Sequence, residues 1–261
     1  MTDAPVLDVL HPRDVTGPLL PDDAEAALTH LYRYPGRPWL RANMISSLDG
    51  AATGPDGLTG SINGPADLRV FTTLRALADV VVVGAGTVRA EGYGPPRVPS
   101  ALRPARRDRG QADDPALAIL TRTGHIPDET LSGPAHKWVF TTTHTEHLPQ
   151  LRRLLPADHL HVHEGHDVDL GMVGTTLADA GLPCQLTEGG PRLLGGLVAA
   201  GALDELCLTW SPVLVAGSAQ RVLDHPAWLD PTPTLRLGHL LHSDGMLIGR
   251  WLVERAPTGH V

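Results

Sequence analysis

The sequence predicts an α/β domain with a central, mostly parallel sheet flanked by helices. Two observations carry this. From about residue 38, short β-branched runs alternate with helical patterns, and the last two runs, LRLGHLL and MLIGRWLVER, stand as an antiparallel C-terminal pair. At 261 residues with 42% hydrophobic content, the chain has material for a substantial core.

Taken in order, the first 35 residues are Pro-rich with one candidate helix, PDDAEAALTHLYR; residues 1–37 read as an extension covering the domain formed by residues 38–261. The expected strands are WLRANMISS, DVVVVG, ALAILT, KWVFTT, HLHVHE, PCQLTE and DELCLTWSPVLV, followed by the closing pair. In GPADLRVFTTLRALA, Pro65 suits the first helical position after Gly64, and Leu68, Phe71, Leu74 and Ala78 recur at helical spacing. Arg75 borders that stripe, and a guanidinium held there needs an anion. In GGPRLLGGLVAAG, Leu193 with Leu197 and Leu194 with Val198 form the buried face, and Gly201 ends the helix. The Pro- and Gly-bearing segment from Tyr93 to Pro115, with Arg97, Arg103, Arg106, Arg107 and Arg109, is expected as a surface loop, its last four arginines solvated.

A formal net charge of −8 argues against nucleic acid or an anionic membrane surface as partner. No apolar run is long enough to span a bilayer and the N-terminus lacks signal-peptide order, so a cytoplasmic protein is expected. Cys184 and Cys207 lack a C-x-x-C partner and read as buried free thiols. His159, His161 and His163 alternate on one strand face; with no fourth ligand apparent they are expected on an exposed face, without metal.

Two glycine-rich junctions carry the functional reading. VVVVGAGTVR begins like a dinucleotide-binding turn, yet Arg89 occupies the place of the third glycine and no ribose-binding acid follows. What remains is a strand ending in Gly84 and Gly86, then Thr87 and Glu91, still able to hold a phosphate or ribose. In LTEGGPRLLGG, a strand reaches Glu188, and Gly189 and Gly190 lead into a proline-started helix whose free N–H groups suit a phosphate. Together the junctions suggest a nucleotide lying across the sheet edge.

ANMISSLDG, LRALADVVVVGAGTVRAEGYG and LTEGGPRLLGGLVAAGALDELCLTWSPVLVAG, in order and spacing over roughly residues 38 to 255, resemble the pyrimidine reductases of riboflavin biosynthesis, the reductase half of the bifunctional deaminase-reductase. The resemblance implies a dihydrofolate reductase-like fold, NADPH as cofactor and a homodimer. It implies cofactor contacts at Ile45, Ser61, Gly84, Gly86, Thr87 and Glu91, and along Gly189, Gly190, Pro191, Arg192, Leu193 and Leu194. It implies substrate contacts at Thr59, Arg75, Arg97 and Glu188, with the arginines on a 5′-phosphate and Glu188 on the pyrimidine ring. Asn43 either faces that pocket or serves as a core hydrogen-bonder.

The implied reaction is hydride transfer from C4 of the nicotinamide to C1 of the ribose of 5-amino-6-(5-phosphoribosylamino)uracil, as its ring-opened imine, giving the ribityl product. The cofactor performs the chemistry, and the protein supplies position and electrostatics. With Glu188 binding the ring, Asp67 or Asp49 supplies the accompanying proton; alternatively Asp67 serves its helix dipole and Asp49 a tight turn. The chain lacks the combined His-x-Glu and Pro-Cys-x-x-Cys signature of the zinc deaminase half, so it is expected to reduce without deaminating. Two alternatives stand beside this: a dihydrofolate or pterin reductase on the same scaffold, and a nucleotide-binding protein without catalysis.

Overall fold

The computed structural model describes residues 4–12, 17–132 and 136–254. Arg255, the last residue of MLIGRWLVER, lies outside them. Strands β1 (Asp8–His11), β2 (Trp39–Ser47), β3 (Val80–Gly84), β4 (Ala116–Leu120), β5 (Lys137–Thr142), β6 (Leu160–His163), β7 (Cys184–Gly189), β8 (Glu205–Ser211), β9 (Leu235–Ser243) and β10 (Met246–Val253) form one 10-stranded sheet. Its order is β1-β9-β10-β8-β2-β7-β3-β4-β5-β6. From β8 to β6 along that order every neighbouring pair is parallel, whereas β10, β9 and β1 join antiparallel. The predicted class, including the closing strand pair, is what forms.

The helices are α1 (Ala26–Leu31), α2 (Pro65–Leu77), α3 (Ala85–Ala90), α4 (Arg103–Asp108), α5 (Asp128–Leu131), α6 (Leu148–Leu154), α7 (Leu170–Asp179) and α8 (Pro191–Ala199). None among the described residues is long and apolar enough to cross a membrane. Strand β2 is buried almost throughout, as a central strand covered on both faces must be. In α8, Leu194 and Leu197 are buried, and the chain leaves the helix through Gly201 at φ +64°. In α2, Ala66, Val70, Leu74 and Leu77 face the core, but Leu68 is 52% exposed. Leu68 was expected in the apolar stripe; two residues beyond Ala66, it lies on the opposite flank of the helix.

The stretch from Tyr93 to Pro115 is not wholly a loop. A 3-10 turn, Ser100–Leu102, leads into α4, and Arg106 is fully buried. Its Nη1 donates to the carbonyls of Arg75, Ala76 and Ala78 at 3.1, 3.0 and 2.7 Å, and its Nε to Ala112 O at 2.7 Å. Arg109 adds a bond to Ala76 O at 2.8 Å. These arginines close the carbonyl end of α2, whose last acceptors have no helical partners. Burial and the nearby Arg109 charge push the Arg106 pKa down to about 10, leaving it a cation at neutral pH. Arg106→Ala is therefore expected to lower stability by about 2–4 kcal/mol, since charge-assisted bonds vanish and buried acceptors are orphaned. A urea midpoint within error of wild type would contradict this.

The imidazole stripe is also not an exposed face. His159 and His161 are half-buried, stacked on Trp138 with ring centroids 4.3 and 5.6 Å away, and His161 also stacks on Phe140 at 4.8 Å. Neighbouring β5 sets those aromatic rings under the imidazoles, and burial lowers the His161 pKa. Cys184 and Cys207 are free and buried, as expected, and burial pushes both thiols up.

The N-terminal segment is tied to the sheet. β1 pairs with β9, and Arg41 and Arg250, both ion-paired with buried Glu205, donate to Tyr32 O at 2.7 Å and Leu31 O at 2.9 Å at the end of α1.

Candidate active site

Because β2 lies between β7 and β8, residues far apart in sequence meet at one sheet margin. Ala42 is level with Thr187 on β7, and Ile45 with Thr209 on β8. A cleft of about 140 Å³ opens there, lined by Asn43, Ile45, Thr59, Asp67, Phe71 and Glu188 among others. This is the carboxyl-end margin at which ligands of α/β sheets bind.

Glu188, the penultimate residue of β7, pairs with Arg75 in a bidentate fork: Nε donates to Oε1 and Nη2 to Oε2, both at 2.7 Å. The Tyr93 hydroxyl donates to Oε2 as well, and Arg75 Nη2 reaches that hydroxyl at 2.8 Å. The guanidinium lies 4.2 Å from the centre of the Phe71 ring. Desolvation disfavours the Arg75 cation, its side chain being 18% exposed, but the pair with Glu188 outweighs it and raises the Arg75 pKa. The anion that Arg75 requires is thus Glu188. On its other side Tyr93 lines a second cavity of about 140 Å³, with Val88, Pro127 and Thr130.

Asp67, in the first turn of α2, is only 4% exposed. It accepts one hydrogen bond, from Thr209 Oγ1 at 2.5 Å to Oδ1, and among the described residues Oδ2 has no partner. Desolvation raises its pKa to about 6, and the Thr209 bond opposes the shift. A carboxyl with one open oxygen, facing a cleft and titrating near neutrality, can bind an N–H group or hold a proton.

The two glycine junctions adjoin. A Cβ on Gly190 would lie 2.9 Å from Thr87 Oγ1, and one on Gly84 would lie 3.9 Å from Leu193 Cβ. Gly189 has φ +96°, and a Cβ there would lie 3.1 Å from Met44 Sδ, so both conformation and space call for glycine. No side chain caps the first turn of α8 or of α3, which leaves their N–H groups open to a ligand. Gly84, Gly86, Thr87, Gly189, Gly190, Pro191, Leu193 and Leu194 therefore stand together, while the exposed Arg192 leans away to Asp224 at 3.3 Å. Glu91 joins the same margin by accepting from Thr59 N and Oγ1 at 3.3 and 3.4 Å.

Besides Arg192, three expected residues are not brought into the cleft. Asp49 accepts from Ser47 Oγ at 2.5 Å and from the amides of Val215 and Ala216 at 3.2 and 2.7 Å. Those bonds, the Ser47 one foremost, lower its pKa to about 2, so it carries no proton to donate at neutral pH. It is the turn-maker of its two readings. Arg97 is 68% exposed and paired with Asp114 at 3.0 Å. Ser61 is exposed and donates to Asp56 and to Leu58 O at 2.8 and 2.9 Å. Conversely, Tyr93 and Thr209 were missed. In ELCLTWS the polar residues Glu205, Thr209 and Ser211 share one face of the strand, and that face is buried; a polar face between apolar neighbours was the available signal. Nothing local marks Tyr93, since a tyrosine between glycines has no periodicity.

The RibD C-terminal domain family matches residues 38–248. The chain is 25% identical over 185 residues to a 2,5-diamino-6-ribosylamino-4(3H)-pyrimidinone 5′-phosphate reductase of Archaeoglobus fulgidus, covering 69% of this chain and 83% of that protein. It is 26% identical to the riboflavin biosynthesis protein RibD of Bacillus amyloliquefaciens over 70% of this chain, but spans only 48% of that longer protein. Among solved structures, a pyrimidine reductase-like protein from Corynebacterium diphtheriae superposes with a TM-score of 0.74 at 27% identity, covering 84% of this chain and 93% of that one. With a family match over most of its length and a fold shared with such a protein, the chain belongs to the RibD C-terminal domain family of riboflavin-biosynthesis reductases.

Proposed function

We propose that the protein is a cytoplasmic, NADPH-dependent reductase of a phosphoribosylaminopyrimidine in riboflavin biosynthesis, converting the ribose to its ribityl form. The observation that supports this best is one cleft lined by Ile45, Asp67 and Glu188, with Arg75 held on Glu188, at the sheet margin that also carries two adjoining, uncapped glycine turns. The turns fit a dinucleotide: Gly84, Gly86, Gly189 and Gly190 would let it approach the backbone, Thr87 and Glu91 would meet its ribose, and the first turn of α8 from Pro191 to Leu194 would face a phosphate. Ile45 would lie along the nicotinamide, which supplies the hydride when bound.

The chain's own residues position and protonate. Arg75, held through Nε and Nη2 by Glu188 and Tyr93, would meet the substrate phosphate with its remaining Nη1. Glu188 keeps a lone pair on Oε1 for a ring N–H, and Thr59 and Asn43 offer further polar contacts. Asp67 would hold at Oδ2 the proton that accompanies hydride addition. Trp210 and Trp251, half-exposed and edge-to-face at 5.1 Å on β8 and β10, support a homodimer through that face; sedimentation as a monomer at micromolar concentration would remove that part.

The test is NADPH oxidation followed at about 340 nm, where reduced nicotinamide absorbs, with the phosphoribosylaminopyrimidine and dihydrofolate side by side. Turnover of the first is expected. Turnover of dihydrofolate alone would assign a pterin reductase, and NADPH binding without turnover of either a non-catalytic protein.

A further inference from the structure

We infer that Thr209 is a positioning residue for the reduction: its hydroxyl holds Oδ1 of Asp67, which leaves Oδ2 as the oxygen that faces the cleft and carries the transferable proton. This rests on the reading of Asp67 as proton donor. Thr209 lies on β8, level with Ile45 of β2 in the parallel register, and is 1% exposed. Its Oγ1 donates to Oδ1 at 2.5 Å, and among the described residues Asp67 has no other hydrogen-bond partner. Asp67 lines the cleft and Thr209 does not, so this bond ties the carboxyl to the sheet on the side away from the cleft.

A carboxyl has two oxygens, and the acid proton can sit on either. With the proton on Oδ1, Thr209 would have to accept it. Its own hydrogen would then have no acceptor, because that hydroxyl makes no second bond among the described residues, and an unpaired donor in a buried place is costly. Thr209 therefore donates to Oδ1, and the proton stays on Oδ2. The charged groups nearby are committed elsewhere: Glu188 to Arg75, and Arg69, on the same helix as Asp67, to Glu25 at 2.7 Å. Burial favours the protonated form of Asp67, and the Thr209 bond opposes it. In the reaction, the ring-opened C1=N bond gains at carbon the hydride of the reduced nicotinamide, which is thereby oxidised. It gains at nitrogen the proton of Oδ2, which leaves Asp67 a carboxylate. Thr209, already donating to Oδ1, steadies that carboxylate until solvent returns the proton.

Valine resembles threonine in shape but has no hydroxyl, so Thr209→Val frees the carboxyl to turn and removes the bond that favours its charged form. The experiment follows kcat against pH for wild type, Thr209→Val and Thr209→Ser. The valine variant is expected to lose about tenfold in plateau kcat, and its fall in kcat at high pH is expected to move upward by about one unit. Serine keeps the hydroxyl and is expected to return the limb to its wild-type position with most of the rate. A limb left in place by valine, or a serine variant that behaves as the valine one, would overturn the inference. The carbon-13 signal of the Asp67 carboxyl, identified by its loss in Asp67→Asn, separates the two levels. A titration of that signal that Thr209→Val leaves in place overturns the positioning role. A titration that rises beside kcat profiles with no limb for Asp67→Asn to remove overturns the proton-donor reading on which the inference rests.

Discussion

Arg75→Ala is expected to raise KM for the phosphorylated substrate at least tenfold and to cost about 3 kcal/mol of folding stability. The kinetic part follows from losing a charge-assisted hydrogen bond from the remaining Nη1 to phosphate, such a bond contributing about 1.5–3 kcal/mol. The stability part follows from Glu188, which would remain 5% exposed with no cation beside it; removing one member of a buried pair costs about 3–5 kcal/mol, and the partial exposure of Arg75 places this case at the lower end. Arg75→Lys should rescue little of either. An ammonium cannot bond both Glu188 oxygens in one plane, and it stacks less well on Phe71. Steady-state kinetics and urea unfolding measure the two effects separately. A KM unchanged in Arg75→Ala would free the guanidinium of any role toward phosphate.

Asp67→Asn is expected to stabilise the protein at pH 8 by up to about 3 kcal/mol while lowering turnover on the order of a hundredfold. The native pKa of about 6 lies above the unfolded value of 3.8 because burial disfavours the charged form. The folded state therefore binds this proton more tightly. The stability the carboxyl contributes is fully present below pH 3.8 and is lost as pH rises through 6. Asparagine does not ionise, so the variant gains most above pH 6 and nothing below about pH 4. Chemical denaturation at pH 4 and pH 8 reads the difference. If Asp67 also holds the transferred proton, wild-type kcat falls above a pH near 6 and the variant lacks that limb. A variant less stable than wild type at pH 8 would mean that Asp67 is not penalised by burial. Function at this position thus opposes stability, as is common where a charged group is kept in a dry cleft.

How much of this was legible in the sequence depended on how local the determining interactions are. β3 and β4 were legible because VVVVG and ALAIL are short apolar runs bounded by glycine or polar residues. α2 and α8 were legible from a proline in the first turn and helical spacing. Glu188, Thr87 and the glycines were legible because a strand-to-helix turn sits at a sheet margin by construction. Leu68 was misassigned because spacing alone gives a helix two candidate faces, and only the tertiary partner chooses between them. Arg106 was taken as solvated because a charged residue in a Pro- and Gly-bearing stretch carries no sign that three carbonyls await it some thirty residues earlier. Asp67 was recognised as a site candidate; its single hydrogen bond to Thr209, 142 positions away, was not readable from either segment.

The placement of β2 between β7 and β8 has a consequence for how the protein is made. Its partners Thr187 and Thr209 emerge from the ribosome long after Ile45, so the chain must carry an apolar strand with no permanent neighbour through most of its synthesis. Non-local pairing of this kind is slow to form and exposed to association meanwhile. The cleft is completed late in such a topology: a chain halted before β8 already carries Asp67 and Glu188 but lacks Thr209, the partner that holds Asp67.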